Sequence, residues 1–209
     1  LINSSLQIYK NQSILFDDKK IFDELSKFFL ERFKNYMKDK GIRQDIIETS
    51  TINFDLNKLL MTYKKAYKLN KVIGKSIGLD LIGNYKRAFN ILNTDKSSTI
   101  NEMIESADPA LFKNEYEKNL YNKLNDVRKN FSNIKVENDY DTQLTLLASI
   151  KVEISNFFEN VIVNDSDENI KNNRLQLLKM VCKTFDNYFS FEKIESYSWR
   201  NLYIISKIK

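Results

Sequence analysis

An all-α fold is what this 209-residue sequence predicts, and three observations carry that prediction. Apolar residues recur at intervals of three and four along nearly the whole chain, the period of a helix with one buried face. Turn formers are scarce: four glycines and one proline are too few for the many tight turns of a β-protein. The composition is 42% hydrophobic and 29% charged, with a mean hydropathy of −0.47. That suits a soluble chain long enough for one large domain or two small ones.

The elements follow in order. Phe22, Leu25, Phe28, Phe29, Phe33 and Tyr36 form one stripe, with Leu30 and Met37 beside it, and Gly41 in "KDKGIRQD" supplies a C-cap stop. A short helix is expected from about Arg43. Asp55 is an N-cap candidate for "DLNKLLMTYKKAYKL", which places Leu56, Leu59, Leu60, Tyr63 and Tyr67 on one face. Gly74 and Gly78 punctuate the chain, and "LIGNYKRAFNIL" resumes with Ile82, Tyr85, Phe89 and Leu92 inward. "NTDKSST", from Asn93 to Thr99, is the most polar linker.

Asp108 and Pro109 then read as the N-cap and first residue of a helix. Three amphipathic helices complete the chain. The first carries Leu120, Leu124, Val127, Phe131 and Ile134; the second Tyr140, Leu144, Leu147, Ile154, Phe157 and Val161; the third Ile170, Leu177, Val181, Phe185 and Tyr188. Short connections make an antiparallel bundle their simplest packing.

The turn before that third helix, "NDSDENIKNNRLQLL", holds a D-x-x-E pattern, Asp165 and Glu168, that resembles a capping box. Arg174 lies on the apolar stripe of the same helix, between Ile170 and Leu177. A guanidinium there needs a partner, because an unpaired buried charge costs several kcal/mol or more. Glu159, Asp165 and Asp167 are the nearest carboxylates in sequence, so Arg174 reads first as a clamp between helices.

Several function classes drop away. The chain has no histidine, the commonest general base and metal ligand, so hydrolytic triads and typical zinc sites are not expected. The single cysteine, Cys182, allows no intramolecular disulfide and fits a reducing, cytoplasmic compartment. No stretch reaches the ~18 apolar residues of a membrane span, and no signal peptide opens the chain. The start at Leu1 rather than Met suggests a piece of a longer protein. Charge is polarised: residues 57–87 hold eight Lys/Arg against Asp80, and residues 136–170 hold eight acids against Lys151. Such polarisation fits a polyanion on one side as well as it fits two solvated helix faces.

"FFENVIVNDSDENIKNNRLQLL" resembles the C-terminal segment of the bacterial glycyl-tRNA synthetase beta subunit, an aminoacyl-tRNA synthetase (a ligase). The match runs through Phe157, Phe158, Val161, Val163, Asn164, Asn173, Arg174, Leu175, Leu177 and Leu178, with Lys171 where the family usually has arginine. "FFLERFKNYMKDKGIRQDII", "YKRAFNIL" and "DPALFKNEYEKNLY" resemble further family segments in the same order, and "FEKIE" stands where the family ends. The resemblance covers about residues 20–195. It implies a helical anticodon-binding domain of the type shared with arginyl-tRNA synthetase over residues 16–195. The end of an upstream helical domain or linker would occupy residues 1–15, and an extension of unknown role residues 196–209. It further implies that tRNA and the alpha subunit are partners, that this piece is non-catalytic and holds no cofactor, and that ATP and Mg serve the alpha subunit. An arginyl-type synthetase domain, or a helical protein-interaction module docking through the acidic residues 136–170, are the alternatives.

Within that resemblance, candidate RNA contacts are chosen on physical grounds. Lys64, Lys68 and Lys71 flank an apolar stripe on one side, with Lys65 adjacent, and such a row can track phosphates. Lys86, Arg87 and Asn90 share the outer face of the next helix. Arg and Asn read base edges by paired hydrogen bonds, and an unpaired anticodon exposes those edges. Tyr9, Tyr197 and Trp199 are weaker candidates for stacking on bases.

Overall fold

The computed structural model describes residues 2–12, 17–94, 106–134 and 139–195, and every regular element among them is helical. The α-helices are α1 (Ile2–Asn11), α2 (Asp18–Asp39), α3 (Gln44–Ser50), α4 (Leu59–Ile73), α5 (Ser76–Thr94), α6 (Glu115–Ser132), α7 (Tyr140–Ala148), α8 (Lys151–Asn160) and α9 (Glu168–Asp186). Single 3₁₀ turns cover Leu56–Lys58, Pro109–Leu111 and Phe191–Lys193. Of the polar linker, Asn93 and Thr94 close α5; the rest of it, Tyr197 and Trp199 lie outside the described residues.

The centre of the fold is α9. It buries a wide face, Leu175 and Met180 as well as Leu177, Val181 and Phe185, and leaves a narrow polar strip of Asn172, Gln176, Lys179 and Lys183 half-buried. An apolar face wider than one stripe needs more than one partner, and α5 and α6 pack against this one, with α8 against both α5 and α6. On the other side of α5 lie α4 and then α3. Rings of Tyr85, Phe185, Phe189 and Phe191 meet where α5, α9 and the last 3₁₀ turn converge, at centroid distances of 5.1 to 6.0 Å. The Tyr85 hydroxyl donates to Asp186 at 2.9 Å, so the buried phenol is not left unsatisfied.

Gly41 stops α2 as expected. Its φ is +76°, and the N–H groups of Gly41 and Ile42 bond back to the carbonyls of Lys38 and Met37. This double closure needs a left-handed residue, which glycine supplies without a Cβ penalty.

Several expectations are corrected. The stretch from Tyr140 to Val161 is two helices, because Ser149 and Ile150 close α7 with i→i−3 bonds before α8 begins at Lys151. Asp108 caps the Pro109–Leu111 turn, and the helix proper begins after Asn114, which forms a capping box with Glu117. Asp55 likewise caps a 3₁₀ turn that leads into α4. The buried stripe of α4 is Ala66, Leu69 and Ile73, while Leu60 is exposed and Tyr63 and Tyr67 are half-buried. On α2 only Met37 is buried, and Phe22, Phe28, Phe29 and Tyr36 remain exposed.

Cys182 is buried in α9, and burial pushes its thiol up to about 12. A thiol is a nucleophile only as thiolate, so the folded chain should resist a thiol reagent at pH 8. Labelling should appear with the unfolding transition in denaturant; full labelling of native protein would place Cys182 at the surface.

Candidate nucleic-acid interface

The motifs named above turn out to touch one another. Arg174 is 5% exposed, and its Nε donates to Glu117 at 2.5 Å. Its Nη1 donates to Asp165 at 2.7 Å and to the Ile162 carbonyl at 2.8 Å. Arg174 thus ties α9 to α6 and to the loop before α9, and of the carboxylates near it in sequence it reaches Asp165 but neither Glu159 nor Asp167. The capping box does not hold: Asp167 is the N-cap of α9, Glu168 is its first residue and pairs with Lys171 at 3.7 Å. The Asp165 carboxylate, accepting the Asp167 N–H and the Arg174 guanidinium, is held below the usual carboxylate range by those bonds.

Glu117, fully buried, is the partner that sequence reading missed. Its second oxygen accepts the N–H groups of Lys113 and Asn114, so one carboxylate starts α6 and neutralises α9. The N-x-x-E spacing of Asn114 and Glu117 signals the cap; nothing in it signals the arginine. Next to this clamp, Asn173 exchanges two hydrogen bonds with the backbone of Asp108, at 2.7 and 3.0 Å. At the other end, Arg43 and Asp45 bond to the backbone of Glu195. These motif residues are staples of the bundle.

RNA candidates are arranged differently. Lys64 and Lys71 are exposed on the outer face of α4. Lys71 lies over the Tyr67 ring, 4.5 Å from its centroid, and the Tyr67 hydroxyl helps raise its pKa, so it stays charged. Lys68 shares that face but pairs with Asp141 at 2.5 Å. Lys65 sits off the row: its ammonium packs over Phe189, 5.1 Å from the centroid, where burial lowers its pKa. The basic and acidic segments thus partly face each other, since Lys151 also pairs with Asp80 at 2.5 Å.

On α5, Tyr85 is buried and stacked on Phe89, which turns Arg87 and Asn90 outward and leaves Lys86 half-buried. The Arg87 guanidinium lies over the Phe158 ring, 4.3 Å from its centroid. It borders a groove of about 890 Å³ shared with Thr94, Asn164, Lys171 and Ile162, the last 79% exposed. A guanidinium supported on one face by a ring keeps its plane fixed, which suits stacking or paired hydrogen bonds to a base. Tyr9 is exposed on α1.

An all-helical bundle whose outer helices present lysines and an edge-mounted arginine has the charge and shape to receive a polyanion, and the family comparison says of which class it is. The DALR anticodon binding domain matches residues 81–197, more than half of the chain, and the chain belongs to that family. It is similar to the glycine–tRNA ligase beta subunits of Rickettsia peacockii (strain Rustic), 34% identical over 194 residues, and Clostridioides difficile (strain 630), 30% over 194. The beta subunit of Rickettsia bellii (strain OSU 85-389) is 36% identical over 195 residues. Each alignment covers 93% of this chain but only 26–27% of the relative, so the chain spans about a quarter of their length. Among the described residues no helix is long and apolar enough to cross a membrane.

Proposed function

We propose that this chain is the anticodon-binding part of a glycyl-tRNA synthetase beta subunit. It grips a glycine-accepting tRNA in the cytoplasm so that the alpha subunit, using ATP and Mg, can glycylate it. The chain itself takes no chemical step and needs no cofactor. The observation that carries this reading, beside the family membership, is the pair of outer faces on the adjacent helices α4 and α5. Lys64 and Lys71 on one suit phosphates; on the other, Arg87 borders a groove that suits an unpaired base, with Asn90 exposed on the same helix. The alternative of a protein-docking module on the acidic segment is less favoured, because Asp141 and Asp165 are engaged by Lys68 and Arg174.

The test titrates a glycine-accepting tRNA and an anticodon-swapped control at several salt concentrations. Lys64→Ala and Lys71→Ala should weaken both RNAs alike and lower the salt slope by about one unit for each phosphate the chain no longer holds. Lys68→Ala should do less, because its ammonium already has a carboxylate partner. Arg87→Ala or Asn90→Ala should instead narrow the gap between the two tRNAs by about 1–3 kcal/mol. A parent chain that binds neither RNA overturns the proposal.

A further inference from the structure

A row of aromatic rings adjoins the lysines of α4. Tyr36 of α2 leans on Tyr63 of α4 with centroids 5.8 Å apart, and Tyr63 stacks on Tyr67 at 5.9 Å with planes 17° apart. Each end carries an ammonium: Lys40 lies 5.5 Å from the Tyr36 centroid and Lys71 4.5 Å from that of Tyr67. Tyr36 is 49% exposed, and Tyr63 and Tyr67 are half-buried. Tyr63 and Tyr67 rest partly on the core, but Tyr36 lies outside it on a helix that buries only Met37, so core packing does not account for the exposed end of the series.

Exposed tyrosines alone would suit many partners, protein surfaces included. Lysines at both ends of the ring series narrow the choice. Cations beside aromatic faces pair phosphate attraction with base stacking, the combination used on single-stranded nucleic acid. Lys64 and Lys71 continue the positive charge along the same helix.

We propose that the lysine-capped series Tyr36–Tyr63–Tyr67 is a stacking platform for unpaired nucleobases of an RNA strand whose phosphates lie on Lys40, Lys71 and Lys64. This rests on the RNA-binding reading above and adds a subsite to it. Every base has a π-face, so the platform strengthens binding without telling one anticodon from another. Discrimination stays with Arg87 and Asn90.

The experiment uses the whole 209-residue chain and three probes: a seven-nucleotide unpaired RNA, the same strand with abasic sites, and a fully paired duplex of that sequence. Tyr36→Leu and Tyr67→Leu keep apolar volume but remove the π-face, while Tyr36→Phe and Tyr67→Phe keep it. Each leucine variant should weaken the unpaired strand about tenfold, leave the abasic strand and duplex near their parent affinities, and be rescued by phenylalanine. Circular dichroism confirms folding; if Tyr67→Leu does not fold, the exposed Tyr36→Leu decides. Parent-like binding of the unpaired strand by folded leucine variants overturns the platform, and if Lys64→Ala still weakens it, the RNA-binding reading survives. Equal losses for strand and duplex also overturn it, since phosphates alone would explain them. A parent chain that binds none of the probes overturns the platform together with the reading beneath it.

Discussion

Replacing Arg174 with alanine should destabilise the fold by about 3–5 kcal/mol, a large part of the about 5–15 kcal/mol that holds a typical domain together. The loss comes mainly from what stays behind. Glu117 is 0% exposed and would keep a carboxylate with two backbone N–H donors but no cation. Asp165 and the Ile162 carbonyl, which anchor the loop between α8 and α9, would lose the same guanidinium. Urea denaturation of the parent and variant measures the effect. Glu117→Gln keeps an oxygen for the cap of α6 while removing the charge, so Arg174→Met with Glu117→Gln should cost less than the two single changes added. If Arg174→Ala unfolds like the parent but loses tRNA affinity, Arg174 is a ligand contact and the clamp is wrong.

Gly78→Ala should cost about 1–3 kcal/mol, and Gly78→Val more. Gly78 lies in the first turn of α5 with an ordinary φ, so its need is for space. A Cβ there would stand 2.3 Å from the Val72 carbonyl oxygen and 2.5 Å from the Ile73 Cα. Both are backbone atoms at the end of α4, and backbone cannot swing aside as a side-chain tip can. Relief requires α4 and α5 to part at their corner, which would also shift the lysine face against Arg87. The expected result is a lower denaturation midpoint with weakened tRNA binding in the folded variant. Gly83, where a Cβ meets nothing within 4 Å, is the control: Gly83→Ala should stay near parent stability or exceed it slightly, alanine being the better helix former. An unchanged midpoint for Gly78→Ala would mean that the corner relaxes freely.

Local chemistry was readable without a structure. The stripes of α5, α6 and α9 were legible because each helix buries a face whose period the apolar residues record. Gly41 was legible because a left-handed cap has few other residues to use. The outward Arg87 and Asn90 were legible because Tyr85 and Phe89 share the opposite face. By contrast, apolar spacing runs on through Ser149 and Ile150 with no glycine or proline, so the break between α7 and α8 left no local mark. Amphipathicity showed that α2 is a helix, yet it could not say what covers its aromatic face, and in the fold most of that face stays open.

Pairings between distant residues were decided only by the tertiary structure, because a charge in sequence carries no record of which carboxylate will face it. Arg174 finds Glu117 57 residues away and Lys68 finds Asp141 73 residues away. Lys65 turns to Phe189 while Lys64 beside it stays in solvent. Helix and face are set by neighbours three and four residues apart, and these the sequence by itself determined. Whether a polar group on that face becomes a clamp, an ion pair or a free contact depends on which helix packs against it.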